Sequence, residues 1–475
     1  MARPDRVILF GCAAALLAFA GAAEAGPRHA PSAVSIPASA PWRPDEAGAH
    51  YGFTSTVRRG PQGAVVALRS PDATPREAIG HVSRDLDAKP WRGKAVTLTA
   101  RVRLIRGSWA GVGLHVRAAD PARTGFDADS HGAPVTADGR WRTVTLNARI
   151  SADATRLSIR LAGTGPMAAE FQAVRLSVRA PDTRPMSPEA AAYLQTALDF
   201  IHENHVNAVH NPDWPRLVAQ ARADAAGART PGETHGAISA LLGDLKEHHA
   251  SFAPPAFLRA MSAQNTDPKV ELADGRFGVV TLTSVDIGTP EDEAFARRYV
   301  EQVRGGLHRL DAKPLCGWIV DLRGDYGGST QVMADAVEGL ALFSRADWPD
   351  EYPDPSELPP ELRWIFTQPE DHLTQGARPV AVLIGPRTAS AGEDVALRFV
   401  GRDAARSFGA PTAGFVSGNA WKRMSDGAGL AVPVSYMHDR KGRPQRDSIQ
   451  PDEPATDAMA AAERWLEGQC ADRAH

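Results

Sequence analysis

The chain has 475 residues, of which 53 are basic and 56 are acidic. This length is too great for one ordinary hydrophobic core and predicts two or three domains. Because the charge is nearly balanced and no basic tract occurs, the sequence predicts no nucleic-acid partner.

The first 25 residues have the features of a secretory signal peptide. Two arginines flank Pro4-Asp5, an apolar run follows, and the run ends in the A-x-A cleavage pattern Ala23-Glu-Ala25. We therefore expect cleavage near Ala25 and a secreted or periplasmic protein. The run is short and ends in small residues, so no stable membrane span is expected in the mature protein. Residues 26–45 are rich in Ala, Pro and Ser and predict a flexible leader.

Residues 46–180 alternate between apolar and polar side chains in short runs. Period-two alternation predicts half-buried strands, and this many of them predict an all-β, jelly-roll-like sandwich. Parts of the segment resemble carbohydrate-binding modules. Three tryptophans are candidates for stacking on a sugar, which makes carbohydrate a possible second partner: Trp91, Trp109 and Trp141. Tryptophans in such a sandwich more often pack in its core or at its edge, and that alternative is favoured here.

Residues 186–262 show helical periodicity. Ser187 and Pro188 predict a helix start, as N-cap and first helical residue. A second helix is predicted from Trp214 to Ala226, and a third from Thr230 to Glu247. His248 and His249 follow this third helix.

Residues 270–470 alternate strands and helices, which predicts a right-handed βαβ series and a mainly parallel sheet. Its predicted strands are Gly275–Leu282, Gly317–Arg323 and Pro379–Ile384. The Pro-rich and acidic residues 344–375 interrupt the series and predict a lid or a substrate-contacting loop.

The strand that ends at Ile384 leads through Thr388-Ala-Ser-Ala-Gly-Glu393 into a helix. The small residues of this turn allow a sharp bend with Ser390 at its apex. The backbone N–H groups that follow, Ala391 first, lie at a helix N-terminus and are suited to an oxyanion hole.

Several motifs occur in one order along the chain, and together they resemble the serine peptidase family of C-terminal processing (tail-specific) proteases and the tricorn protease core. The motifs are Leu245-Lys-Glu-His-His-Ala-Ser-Phe252, Gly317-Trp-Ile-Val-Asp-Leu-Arg-Gly-Asp-Tyr-Gly-Gly328, Thr388-Ala-Ser-Ala-Gly-Glu393, Phe408-Gly-Ala-Pro-Thr-Ala-Gly414 and Ile449-Gln-Pro-Asp452. The resemblance covers roughly residues 187–466. It implies a ClpP/crotonase-like α/β core, a peptide or protein substrate, and neither cofactor nor metal.

The resemblance also implies site residues, with one departure from the bacterial pattern. Phe415 stands where bacterial processing proteases place the lysine of a Ser-Lys dyad. Alignment on the tricorn branch instead makes Ser390 the nucleophile and His249 the general base. The remaining roles are an oxyanion hole built from Ala391 and from Gly327 and Gly328, and a place for His248 as the polar neighbour of the base. The family's supporting carboxylate aligns near Gln445, so this role is vacant or passes to another group such as Asp447.

Two other functions stay open. One is an α/β-hydrolase-like esterase that uses Ser390, Asp426 and His438 in that order, although Thr388 replaces the glycine expected two residues before the nucleophile. The other is a non-catalytic binding protein with a decayed peptidase core.

Two cysteines remain after the predicted signal peptide. Cys316 precedes a buried strand, and Cys470 ends a predicted amphipathic helix from Asp457 to Glu467. That helix has to pack on the sheet to bury its apolar face, and this packing would bring its end near the strand. In an oxidising compartment the sequence therefore predicts a disulfide between them.

Overall fold

The computed structural model describes residues 33–36, 42–44, 49, 52–60, 63–74, 79–117, 127–130, 135–247, 249–255, 258, 266–285, 287, 290–348, 354–357, 363–375 and 377–472. The predicted signal peptide, residues 1–25, lies outside these residues. So does His248.

The N-terminal part consists of two antiparallel sheets that share one hydrophobic core. One has the order β3-β4-β11-β6-β9, with β1 paired to β11, and the other has the order β2-β5-β10-β7-β8. Alternation produces this core, since every second residue of β6 is buried. The strands are β1 (Ala33–Ser35), β2 (Arg43–Pro44), β3 (Thr54–Gly60), β4 (Gly63–Arg69), β5 (Ile79–Asp87), β6 (Ala95–Arg106), β7 (Ala110–Arg117), β8 (Asp127–Asp129), β9 (Arg142–Arg149), β10 (Arg156–Thr164) and β11 (Ala168–Val178).

The three tryptophans named as candidates for sugar stacking lie in different surroundings. Trp91 and Trp109 are only 3% and 4% exposed, so they pack inside the protein and present no ring to a sugar. The ring of Trp141 already faces two guanidinium groups, those of Arg101 at 5.6 Å and Arg103 at 5.1 Å from its centroid. Burial of apolar surface thus explains two of the three tryptophans.

The helical segment contains α1 (Pro188–Asn204), α2 (Trp214–Asp224) and α3 (His235–Asp244). The predicted cap is confirmed, because the Ser187 side chain accepts a hydrogen bond from the Ala190 N–H. The third helix is shorter than predicted. Its first residues, Pro231–Thr234, form a 3-10 turn, and Lys246 has a positive φ of 55° just after its end.

Helix α3 also packs against the N-terminal sheets. A Cβ atom at Gly236 would lie 2.1 Å from the carbonyl oxygen of Asn147 in β9, so only glycine permits this approach. Arg149 extends from the same strand to Asp224, at 2.8 Å, and to Asp244. The helix that precedes His249 is therefore held against β9 near both of its ends.

The C-terminal part is an α/β core with a six-stranded sheet of order β13-β14-β15-β16-β17-β20. Its strands are parallel except for β13, as predicted. A three-stranded sheet, order β12-β19-β18, lies outside it. The elements are β12 (Ser251–Ala253), β13 (Lys269–Ala273), β14 (Phe277–Thr281), α4 (Pro290–Asp311), β15 (Gly317–Asp321), α5 (Thr330–Ala336), α6 (Glu338–Ala341), α7 (Arg363–Phe366), β16 (Val380–Ile384), α8 (Ala391–Phe399), β17 (Ala405–Gly409), β18 (Ser417–Arg423), β19 (Gly429–Tyr436), β20 (Glu453–Pro454) and α9 (Ala458–Asp472).

Two further predictions are tested by this part of the fold. Cys316 and Cys470 form a disulfide with a Cα–Cα distance of 5.0 Å, which confirms the predicted pairing. The described parts of residues 344–375 pack on the core, where Trp348, Trp364 and Ile365 are buried. A role of this segment as a lid stays a prediction. No helix among the described residues is long and apolar enough to cross a membrane.

Candidate active site

The turn between β16 and α8 carries Ser390. Thr388 anchors it: its fully buried hydroxyl donates to the Leu322 carbonyl at 2.9 Å and accepts from the Gly385 N–H at 3.0 Å. Leu322 directly follows β15. The turn is therefore tied to the ends of two neighbouring parallel strands, the edge at which α/β proteins bind ligands.

Ser390 itself has a strained backbone, with φ 52° and ψ −119°. This conformation is sparsely populated for a residue with a side chain and costs about 1–3 kcal/mol, so the surrounding structure has to enforce it. Its backbone N–H donates to Oε2 of Glu393 at 3.0 Å. Since α8 begins at Ala391, the serine stands at the helix N-terminus, where the backbone N–H groups favour negative charge.

Glu393 connects the serine turn with the chain segment after β17. Its carboxylate is fully buried, and Oε1 accepts from the Gly414 N–H at 2.7 Å and from the Thr412 hydroxyl. Burial raises the pKa of Glu393, although these hydrogen bonds act in the opposite direction. The side chain thus fixes Ser390 relative to Gly414.

The double-glycine turn lies directly against the serine. At Gly327 φ is 118°, and a Cβ atom there would lie 2.8 Å from the Ser390 Cβ. At Gly328 φ is 125°, and a Cβ would lie 2.2 Å from the Val285 carbonyl oxygen. Both positions therefore require glycine, for conformation and for space.

One of the predicted oxyanion donors has another partner. The Gly327 N–H donates to Oδ1 of Asp325 at 3.0 Å, so in this structure it is not available to a substrate oxygen. The N–H groups of Gly328 and Ala391 remain as predicted donors to the oxyanion.

Asp325 is a fully buried carboxyl group beneath the serine turn, and sequence reasoning did not single it out. Its backbone carbonyl accepts from the Ala389 N–H at 3.0 Å, and its carboxyl lies against the Cα of Gly392, where a Cβ would be 3.0 Å from Cγ. Oδ2 has no hydrogen-bond partner among the described residues. Burial raises the pKa of Asp325 to about 7, against the hydrogen bonds from Gly327 and Ser284.

His249 lies between α3 and β12. Its N–H donates to the Glu247 carboxylate at 2.8 Å, and its carbonyl accepts from the Asn419 side chain at 3.1 Å. The ring is partly buried and stacks on Phe415 with a centroid distance of 5.3 Å. The backbone N–H of Phe415 in turn hydrogen-bonds the Glu393 carboxylate that holds Ser390. The predicted base and nucleophile therefore belong to one contact network.

The residue that supports His249 is Ser417, which sequence reasoning missed. Its hydroxyl is 2.9 Å from Nδ1 of His249, and the residue is only 2% exposed. Asp447, the other residue named for this role, is exposed, and its backbone carbonyl accepts a hydrogen bond from the Gln445 side chain at 2.7 Å. Its support of His249 stays a prediction. No motif marks Ser417, since only the register of β18 brings it to the ring.

The residues of the esterase hypothesis contact other groups. The Asp426 carboxylate binds Nε2 of His235 and the Tyr193 hydroxyl, each at 2.8 Å. The His438 ring stacks on Trp348 at 5.5 Å. Asp426 thus contacts the helical segment, and His438 packs beside the core. These contacts do not support a catalytic triad of Ser390, Asp426 and His438.

Comparison with known proteins identifies the α/β core. Residues 276–455 match the model of peptidase family S41. The match covers less than half of the chain, so the similarity to this family applies to the α/β core. The S41 segment contains Ser390, the double glycine and Phe415, while His249 precedes it.

Individual relatives extend this comparison. The chain is 29% identical over 213 residues to a nisin-resistance protein of Lactococcus lactis, and the match covers 42% of this chain and 63% of that protein's length. A lipoprotein of Streptococcus agalactiae is 18% identical and has a TM-score of 0.50, covering 60% of this chain and 98% of that one. A photosystem II D1 C-terminal processing protease, 14% identical, gives a TM-score of 0.41 over 60% of this chain and 97% of that one. The match to the Streptococcus agalactiae lipoprotein indicates a shared fold.

Proposed function

We propose that this protein is a serine peptidase that cleaves peptide bonds through an acyl-enzyme on Ser390, with His249 as general base and acid. The observation that carries the proposal is the backbone of Ser390. A strained non-glycine residue at a strand-to-helix turn, held by buried groups from three sides, is the geometry of an activated nucleophile.

The proposed mechanism requires one tautomer of His249. In it, Nδ1 carries the proton and donates it to the Ser417 hydroxyl, which lies 2.9 Å away, and Nε2 keeps its lone pair. Nε2 accepts the Ser390 hydroxyl proton as the serine oxygen attacks the carbonyl carbon, and it returns this proton to the leaving amine. Water then repeats the cycle on the acyl-enzyme.

The N–H groups of Ala391 and Gly328 donate hydrogen bonds to the carbonyl oxygen and stabilise the negative charge that forms on it. A neutral hydroxyl at Nδ1 orients the ring but stabilises the imidazolium less than a carboxylate does. The structure thus supports a Ser-His pair with a serine in the orienting position.

A fluorophosphonate probe tests the proposal, because it reacts with activated serines. We expect labelling of the wild type, none in Ser390→Ala, and strongly reduced labelling in His249→Ala. His438→Ala is the matched control and should label normally, since its ring packs beside Trp348. Folded wild-type protein that takes up no probe would instead favour the decayed, non-catalytic protein.

Peptide cleavage is the second part of this test. Ser390→Ala should lower hydrolysis by several powers of ten, since the covalent route is lost. Nisin belongs in the peptide panel because of the nisin-resistance relative. An active, labelled enzyme that hydrolyses esters but none of the peptides would contradict the peptidase assignment.

We also propose that the protein is exported. Residues 1–25 support this, and so does the Cys316–Cys470 disulfide, which fits an oxidising compartment. Expression of the full chain in a bacterial host, followed by N-terminal sequencing of the periplasmic or secreted protein, should find a start near Gly26. Retention in the cytoplasm with an intact Met1 would contradict it.

A further inference from the structure

The three-stranded sheet beside His249 has two different faces. One face is covered, because Phe252, Leu430 and Val432 pack into the hydrophobic core formed with helices α1, α2 and α3. Alternation along β18 puts Lys422 on this side, where its ammonium lies 5.4 Å from the centroid of the Phe200 ring. The opposite face carries the alternate residues Ser417, Asn419 and Trp421.

Trp421 is 50% exposed. Its indole lies over the backbone of Gly429 in β19. A Cβ atom at Gly429 would be 3.0 Å from Nε1 of Trp421 and 3.0 Å from Cδ1 of Leu258. The two side chains therefore meet over a glycine and form a small apolar surface, which we call the Trp421 surface.

The Trp421 surface is continuous with the proposed catalytic centre. Ser417 and Asn419 belong to the same strand face and hold the ring and the carbonyl of His249. At about 3.3 Å per residue, Trp421 lies roughly 7 Å along the strand from Asn419 and roughly 13 Å from Ser417. An extended peptide advances by the same rise, so this interval equals about two to four substrate residues.

Strand β18 also lies at the edge of its sheet. Among the described residues it pairs with β19 alone. Edge strands are usually protected against pairing with other chains. The half-exposed Trp421 stands at the middle of this one, and the guanidinium of Arg423 lies 5.8 Å from the centroid of its ring. An edge strand with an apolar surface suits an extended chain that presents alternate side chains.

We propose that Trp421 and Leu258 form a specificity subsite that takes a large apolar side chain of the peptide substrate, about two to four residues from the scissile bond. This inference rests on the proposed peptidase function. It goes beyond that function by naming the substrate feature and the residues that recognise it.

Cleavage-site profiling with the full chain tests the subsite. A peptide library prepared from digested bacterial protein is incubated with the wild type, and mass spectrometry identifies the bonds cleaved. We expect Leu, Ile, Phe, Tyr or Trp to be enriched at one position within four residues of the cleaved bond. Two synthetic peptides that differ only by Phe or Gly at that position then give kcat/KM values, and the wild type should prefer Phe at least tenfold.

The variants separate recognition from folding. Trp421→Ala should reduce the Phe-over-Gly preference at least tenfold, whereas Trp421→Phe should keep it within about threefold. Val57→Ala, which removes an exposed apolar side chain from β3, is the matched control and should keep the wild-type preference. Thermal unfolding of each variant checks that it is folded. If Trp421→Ala misfolds, Leu258→Ala takes its place, since it removes the other side chain of the subsite and should likewise reduce the Phe-over-Gly preference.

The possible results are distinguishable from failure of the proposed function. A wild type that takes up no fluorophosphonate overturns both statements. A labelled wild type that cleaves no peptide also overturns both. If the wild type is labelled and cleaves peptides, the subsite alone is overturned by a library profile without apolar enrichment or by an unchanged preference in folded Trp421→Ala.

Discussion

The turn that carries Ser390 is fixed by buried side chains, whereas the segment that carries His249 is fixed by partly exposed ones. Thr388, Glu393 and Asp325 are each fully buried around the serine. His249 is held by the Glu247 carboxylate, by Asn419 on the exposed face of β18 and by one buried hydroxyl, that of Ser417. The proposed nucleophile is thus preorganised by the core, while the position of the proposed base depends on the small sheet and on α3.

This contrast predicts unequal sensitivity to substitution. Buried polar groups are costly to leave without partners, so changes on the serine side should affect both stability and activity. Surface hydrogen bonds contribute less, so changes on the histidine side should act mainly on activity. Four substitutions test the contrast, beginning with the largest expected effect.

Gly327→Ala should abolish hydrolysis to within detection. The added methyl group would lie 2.8 Å from the Ser390 Cβ at a φ of 118°, so the serine or the turn has to move. A misplacement of 1 Å at a nucleophile can lower the rate by about 100-fold, and the backbone strain adds to this. The effect is measured as kcat/KM for peptide hydrolysis and as the rate of labelling by the fluorophosphonate probe. Gly324→Ala is the matched control, since no atom lies within 4 Å of its Cβ position, and equal losses in both variants would contradict the prediction.

Asp325→Asn should change how stability depends on pH. The native pKa of about 7 exceeds the ordinary value of 3.8, so between these pH values the folded protein keeps a proton that the unfolded chain has lost. Stability must then fall as pH rises through this window, by up to ~4 kcal/mol for three pKa units. The amide cannot titrate, and the variant should lose this part of the slope.

Urea unfolding at several pH values from 4.5 to 8 measures the effect of Asp325→Asn. The buried phenol of Tyr299 interacts with this carboxyl, but burial raises its pKa well above the ordinary value, so it stays neutral throughout. Asp153→Asn replaces an exposed carboxylate and should leave the slope as it is. Parallel curves for wild type and Asp325→Asn would show that Asp325 is ionised in the folded protein.

Much of this architecture could be predicted from residue patterns. The parallel sheet follows from buried β-branched runs such as Val380–Ile384, and Ser390 follows from a small-residue turn between that run and a helix. The disulfide follows from an even pair of cysteines and an amphipathic helix. In each case the signal is local or nearly so.

The supporting groups could not be predicted, because they depend on contacts between distant parts of the chain. Ser417 is 168 residues from His249, and neither its type nor its spacing distinguishes it from other serines. Asp325 lies inside a recognised motif, but its burial and its bond to Gly327 depend on how that turn packs under α8. The general tendency of tryptophans to pack in a sandwich favoured burial of Trp91 and Trp109, but no local pattern distinguished them from Trp141.

Ser417→Ala should lower kcat about 10- to 100-fold with little change in KM. Loss of the hydroxyl removes the acceptor for the Nδ1 proton, so the imidazole loses its preferred tautomer and orientation. A kinetic pH profile should show the rising limb displaced in the variant, which a simple loss of packing would not produce. Ser435→Ala, on an exposed part of β19, is the control. Wild-type kinetics in Ser417→Ala would mean that another group orients His249.

Asn419→Ala should have the smallest effect. Its side chain donates one hydrogen bond to the His249 carbonyl at 3.1 Å from an exposed position, where water can replace it. A net contribution of about 0.5–1.5 kcal/mol corresponds to a two- to twelvefold lower kcat/KM, with the unfolding midpoint almost unchanged. Asn419→Asp is the companion variant, since it keeps the size of the side chain but cannot donate to the carbonyl, and it should lose at least as much. A loss as large as that of Gly327→Ala would contradict the contrast, because the exposed contacts of His249 would then be as critical as the buried ones around Ser390.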